Sequence, residues 1–147
     1  MKVNVELNPD LKELLVNILA PEKSQELDAL LARIEPPEET TLLGFQNGCA
    51  VPLNPDDVLR FYGEEKEVRA QTADGVVYTV RPRLYELEGR YAARRFVRIS
   101  NSELVNWNRV EALDLSLAGT IRVTLAGGVV TYVSRRCVKR IKEVLGL

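Results

Sequence analysis

The chain contains no histidine, and this one absence removes the commonest general base and the commonest metal ligand together. Cysteine is nearly absent as well. Cys49 and Cys137 lie far apart with no metal-ligand spacing, so two free thiols are expected in preference to a disulfide or a zinc site. Long apolar runs are missing: the longest, residues 14–20, is interrupted by Asn17 and falls well short of the roughly 20 residues that cross a bilayer. Met1-Lys2-Val3 leads directly into alternating polar and apolar residues, so no signal peptide is expected ahead of the fold. A cytoplasmic location is the expectation. Gly-rich phosphate loops, zinc spacings and a nucleophile elbow are also lacking. The adjacent acids Asp56/Asp57 and Glu64/Glu65 have the pattern of solvated turns, and Gly127-Gly128 reads as a turn between strands. Neither an enzyme nor a chain that holds a metal or cofactor is expected.

What is present is an ordinary globular composition, 46% hydrophobic and 28% charged over 147 residues, enough for one buried core and a shorter appendage. The net charge of −1 is unevenly spread. Residues 1–48 carry four basic groups (Lys2, Lys12, Lys23, Arg33) against nine acidic ones, whereas from Arg90 onward eleven basic groups face only four acids, a local charge of +7. An acidic front and a basic back suggest different partners for the two ends.

Period-two alternation over residues 2–7 predicts a half-buried strand, and residues 14–20, ending at Pro21, a second short one. Ser24 is an N-cap candidate for a helix whose Leu27, Leu30, Leu31 and Ile34 share a face. Residues 35–40 (Glu-Pro-Pro-Glu-Glu-Thr) are the best linker, which divides the chain into a leader, residues 1–39, and a domain, residues 40–147. In the domain, Asn47-Gly48 and Ala73-Asp74-Gly75 mark hairpins. Residues 82–94 form a helix with Leu84, Leu87 and Tyr91 on one face. Short strands follow on both sides of Ser100-Asn101-Ser102, then a meander, then a last helix capped by Ser134 along which Val138, Ile141 and Leu145 recur. About ten short strands with three modest helices make a mostly β, antiparallel fold. No helix-turn-helix pair is visible.

Basic residues cluster in two places. Arg94, Arg95 and Arg98 straddle a helix-to-strand boundary, and Arg135, Arg136, Lys139, Arg140 and Lys142 crowd the last helix. Such groups supply the phosphate contacts that dominate DNA affinity, and an arginine fork can also read guanine. Most surface cations serve only solubility and helix ends. Arg135 and Arg136 are less easily dismissed, because they stand at a helix start, where the macrodipole repels cations.

Phe96-Val97-Arg98-Ile99-Ser100-Asn101-Ser102-Glu103-Leu104-Val105-Asn106 resembles the central signature of the LytTR DNA-binding domain. Gly128-Val129-Val130-Thr131-Tyr132-Val133-Ser134-Arg135-Arg136 resembles that family's terminal element at the expected distance, and residues 54–61, Asp74-Gly75 and residues 84–87 fit upstream in order. The resemblance runs from about residue 40 to the C-terminus. It implies an elongated sandwich of small antiparallel sheets that contacts double-stranded DNA through loops at one edge. By motif, the contacts would come from the loop around Lys66, the Ser100-Asn101-Ser102 turn and the Arg135-Arg136 junction. Asn101 and Arg136 would reach base edges, and Ser100, Ser102, Lys139 and Arg98 would hold phosphate. Arg98 alternatively closes a structural ion pair. Phe96, Leu104 and Val105 would be core, and Asn106 would satisfy backbone groups at a turn.

Two departures accompany the resemblance. The loop Gly63-Glu64-Glu65-Lys66-Glu67 carries three carboxylates, so either it stands off the DNA or only Lys66 reaches it. Cys137 replaces an aromatic residue common in the family, which either loosens packing or fills a smaller pocket. The resemblance also implies binding as a homodimer to paired half-sites, and a regulatory membrane protein that docks on the leader or the domain. The competing reading is a protein-interaction module that kept this fold and lost DNA binding.

Overall fold

The computed structural model describes residues 1–34 and 40–147. The linker expected over residues 35–40 lies, apart from Thr40, outside the described residues. The chain divides into two compact units, Met1–Pro36 and Pro37–Leu147, and no helix among the described residues is long and apolar enough to cross a membrane.

Among the described residues of the first unit only the helix forms. Helix α1 spans Gln25–Ile34, and the Ser24 hydroxyl caps it by accepting from the Leu27 N–H at 3.1 Å. The strands expected over residues 2–7 and 14–20 do not form. Alternation makes a strand only where a ladder exists to satisfy its backbone groups, and no neighbouring strand pairs with either segment. Leu7, Leu14 and Leu19 are almost fully exposed.

The described residues of the second unit form ten strands and two further α-helices: β1 (Leu42–Gln46), β2 (Cys49–Leu53), β3 (Val58–Glu64), β4 (Glu67–Thr72), β5 (Val77–Val80), α2 (Leu84–Arg90), β6 (Phe96–Ser100), β7 (Glu103–Asn106), β8 (Val110–Asp114), β9 (Ile121–Leu125), β10 (Val129–Val133) and α3 (Arg135–Val144). Seven strands form one sheet in the order β2-β1-β5-β4-β3-β7-β6, and three form a second, β10-β9-β8. Every pairing is antiparallel. The helix expected over residues 82–94 breaks at Tyr91 into α2 and a separate 3-10 turn, Ala92–Arg94.

Strands β3, β6 and β7 separate two cores. Phe61, Ala70, Leu87, Tyr91, Phe96 and Leu104 fill one beneath α2, with the Phe61, Tyr91 and Phe96 rings 5.2–6.0 Å apart. Leu59, Ile99, Val105, Val123, Leu125 and Ile141 fill the other, beneath the small sheet and α3. A register shift between Val58 and Arg60 sends Leu59 and Phe61 to opposite cores, the local effect of a bulge. All four residues of β7 are buried because both of its faces are covered. Cys137 packs partly buried against the second core, while Cys49 is exposed, and both are free thiols.

One polar contact ties the cores together. The buried Glu103 carboxylate is held by Arg60 Nη1 at 2.7 Å and by the Thr131 hydroxyl of β10. Glu103 therefore joins the large sheet to the small one, with both carboxylate oxygens satisfied. Asn106 does what its place in the motif implied: its amide donates to the Val58 carbonyl at 2.9 Å, and its Oδ1 accepts from the Asn108 N–H at 3.1 Å.

Candidate nucleic-acid interface

Lys66 stands at the tip of the β3–β4 hairpin. Glu64 pairs with Glu67, so the loop is the two-residue turn Glu65-Lys66, and both residues take positive φ, 52° and 64°. Such turns favour Asn and Gly. Holding two ordinary residues in the left-handed region costs on the order of 1–3 kcal/mol each, strain that concentrates at functional sites. The sequence lacked the Gly or Asn that would have announced this turn.

The loop acids gather around one arginine. Arg69 of β4, itself only 25% exposed, has Nη2 3.3 Å from Glu65 and 3.8 Å from Glu67, and its Nε lies 3.2 Å from Glu64. Only the Glu65 contact has hydrogen-bond geometry. One guanidinium thus offsets part of the negative charge on three carboxylates, while Lys66 remains exposed among them.

The central turn lies beside this loop. The Gly63 N–H donates to the Ser102 carbonyl at 2.9 Å. The Ser100 hydroxyl accepts from the Ser102 N–H at 3.2 Å and lies 3.4 Å from the Ser102 hydroxyl, while a register shift between Arg98 and Ser100 bends the strand here. Arg98 braces the turn from below: its Nη1 donates to the Asn101 carbonyl at 2.7 Å, and its Nε pairs with Glu88 of α2 at 3.6 Å. Of the two roles open to Arg98, the ion pair is therefore occupied. Asn101 and Ser102 are exposed, and among the described residues the Asn101 side-chain amide makes no hydrogen bond.

The third element is fastened to the same strand. The Ser134 N–H donates to the Ile99 carbonyl at 2.9 Å, which sets the first turn of α3 against Ser100. Arg135, Arg136 and Lys139 are exposed. The Arg135 guanidinium lies over Gly119, with Nε 3.3 Å from where a Cβ would stand. Arg135, Lys139 and Lys142 line a groove of about 600 Å³. Ser134 makes no side-chain cap to α3, so the expected cap is positional only.

Lys66, the Ser100–Ser102 turn and the Arg135-Arg136 junction are thus linked by two backbone hydrogen bonds through β6 and its turn. Arg94 and Arg95 play another part. Arg94 pairs with Asp56 at 2.8 Å and Arg95 bonds Asn108 at 2.9 Å, fastening the 3-10 turn to neighbouring loops. Neither partner is near in sequence, so only the structure could identify them. Arg69 and Glu103 were likewise missed. Glu103 shares the period-two face of Val105, which was the available signal.

The exposed cations Lys66, Arg135, Arg136 and Lys139 stand on one hairpin tip and on the first turns of α3 of a β-rich module. Residues 48–146 match the sequence family described as the LytTr DNA-binding domain, and the chain belongs to that family. Across its full length it is 34% identical to an HTH-type transcriptional regulator of Staphylococcus aureus strain NCTC 8325 / PS 47, covering 99% of that protein; a regulator of the same description from strain MSSA476 is also 34% identical, over the same share. A LytTr DNA-binding domain from Bacillus cereus has the same fold, with a TM-score of 0.69 at 18% identity over 74% of this chain and all of that one. Despite the relatives' description, strands separate each α-helix from the next among the described residues.

Proposed function

We propose that this chain is a sequence-specific transcription regulator that reads duplex DNA with two loops and the first turns of α3. Lys66 reaches the backbone, Asn101 and Arg136 read base edges, and Ser100, Ser102, Arg135 and Lys139 fix the register on phosphate. Arg98 acts one step back, by shaping the turn that carries Asn101. The observation that carries the reading is the pair of backbone hydrogen bonds, Gly63 to Ser102 and Ser134 to Ile99, which hold the three elements as one preorganised edge. Membership of a DNA-binding family and relatives described as transcriptional regulators support it.

The chief objection was the acidic loop, which favoured an interaction module without DNA binding. Arg69 answers part of it by placing one guanidinium among those carboxylates. The leader, whose α1 leaves Leu31 and Ile34 close to half exposed, serves a second copy or a regulatory membrane protein, and paired half-sites suit a homodimer acting on cytoplasmic DNA. Selection from a random duplex library tests the central reading. Enrichment of a recurrent motif is expected, and recovery of unrelated sequences would contradict it.

A further inference from the structure

The Lys66 loop has a cationic neighbour outside the three family elements. The groove beside it, about 600 Å³, is bounded on one side by Gly63–Val68, Asn101 and Ser102, and on the other by Arg83, Leu84 and Tyr85 at the start of α2. A smaller cleft of about 280 Å³ continues past Lys66 toward Arg81. Lys66 and Arg83 line both, so they stand where the two clefts meet.

Arg83 is exposed and, among the described residues, has no ion pair or hydrogen bond through its side chain. It occupies the N-cap position of α2 without capping it. A cation there is opposed by the helix dipole and by the uncapped N–H groups, where Ser, Asp or Asn would stabilise the helix. Folding therefore does not explain this arginine. Tyr85, two residues further on, is 67% exposed and belongs to neither buried core. Arg81 differs: its guanidinium stacks over the Phe45 ring at 4.5 Å, so it has a structural use. The acids that share the groove, Glu64, Glu65 and Glu67, are those whose charge Arg69 partly offsets.

We propose that Arg83 and Tyr85 form a fourth DNA-contacting element, which grips the phosphate backbone flanking the bases beside the Lys66 loop. The inference rests on the DNA-binding function proposed above and adds contacts that the three motif elements do not include. Arginine supplies a charge-assisted donor and tyrosine a hydroxyl donor, both frequent phosphate ligands. Because backbone contacts carry no base information, this element extends the footprint without adding specificity.

Full-length wild type, Arg83→Ala, Arg83→Lys and Tyr85→Phe would be titrated across a salt series with a selected duplex, long and shortened at the Lys66-proximal end. The expected result for Arg83→Ala is about tenfold weaker binding to the long duplex. The slope of log affinity against log salt should fall by about one, equally for matched and scrambled sequences. Arg83→Lys should keep the slope, Tyr85→Phe should weaken binding only slightly, and all variants should melt with the wild type. On the shortened duplex wild type and Arg83→Ala should converge. Wild-type affinity and slope in Arg83→Ala on the long duplex would overturn the inference while leaving the DNA-binding reading intact. Failure of wild type to bind any selected duplex would instead defeat that reading, and this inference with it.

Discussion

Arg98 Nη1 donates to the backbone carbonyl of Asn101 across 2.7 Å, so its guanidinium braces the turn that carries the exposed amide. The Glu88 carboxylate lies 3.6 Å from Arg98 Nε and supplies the guanidinium with a counter-charge. Arg98→Ala should lower stability by only about 1 kcal/mol yet blur preference at the base position read by Asn101. Amide shifts of Asn101 and Ser102 should move in the free protein. Weaker binding with unmoved shifts would mean that Arg98 touches DNA directly.

Arg69→Met should release Glu64, Glu65 and Glu67 from their shared counter-charge. Binding should weaken most at low salt, with the deficit shrinking as ionic strength shortens the Debye length below about 8 Å. A deficit that does not change with salt would point to a misfolded hairpin instead.

Glu103→Ala should be among the most damaging single changes, because it leaves Arg60 half-buried without its partner and cuts the link between the two sheets. Breaking a buried pair costs about 3–5 kcal/mol; the partial exposure of Arg60, 22%, puts this one at the lower end. Glu103→Gln retains hydrogen-bonding capacity and should cost less. Urea unfolding checks both, and equal losses would show that charge is the only term that matters.

The hairpins and the order of the domain's strands were legible in the sequence because Asn47-Gly48 and Gly127-Gly128 supply positive φ where the chain must reverse. The Glu65-Lys66 turn was not, since its residues carry no such signal and the register of β3 with β4 closes the hairpin there. Alternation in residues 2–7 misled for the opposite reason: a local pattern without a partner strand makes nothing. For the candidate site, motif order named the three segments that two backbone hydrogen bonds link in the fold. The roles of individual arginines depended on partners remote in sequence, as with Arg94 and Asp56, and no spacing rule reveals those.

Removing residues 1–36, the leader through the end of its compact unit, should change the protein's mass in solution more than its affinity for a single half-site. The exposed leucines of that unit motivate this expectation. Light scattering and half-site titration of the truncated chain check it. An unchanged mass with much tighter half-site binding would identify the acidic leader as an electrostatic inhibitor of DNA binding.

The most direct test of loop-based reading compares Arg136→Ala with Lys139→Ala by anisotropy on a selected site and on variants of that site substituted one base pair at a time. Arg136→Ala should cost about 1–3 kcal/mol on the selected site and flatten the preference at one position. Lys139→Ala should weaken every sequence alike and lower the salt slope by about one. Identical profiles for the two variants, or wild-type binding indifferent to both sequence and salt, would contradict the account.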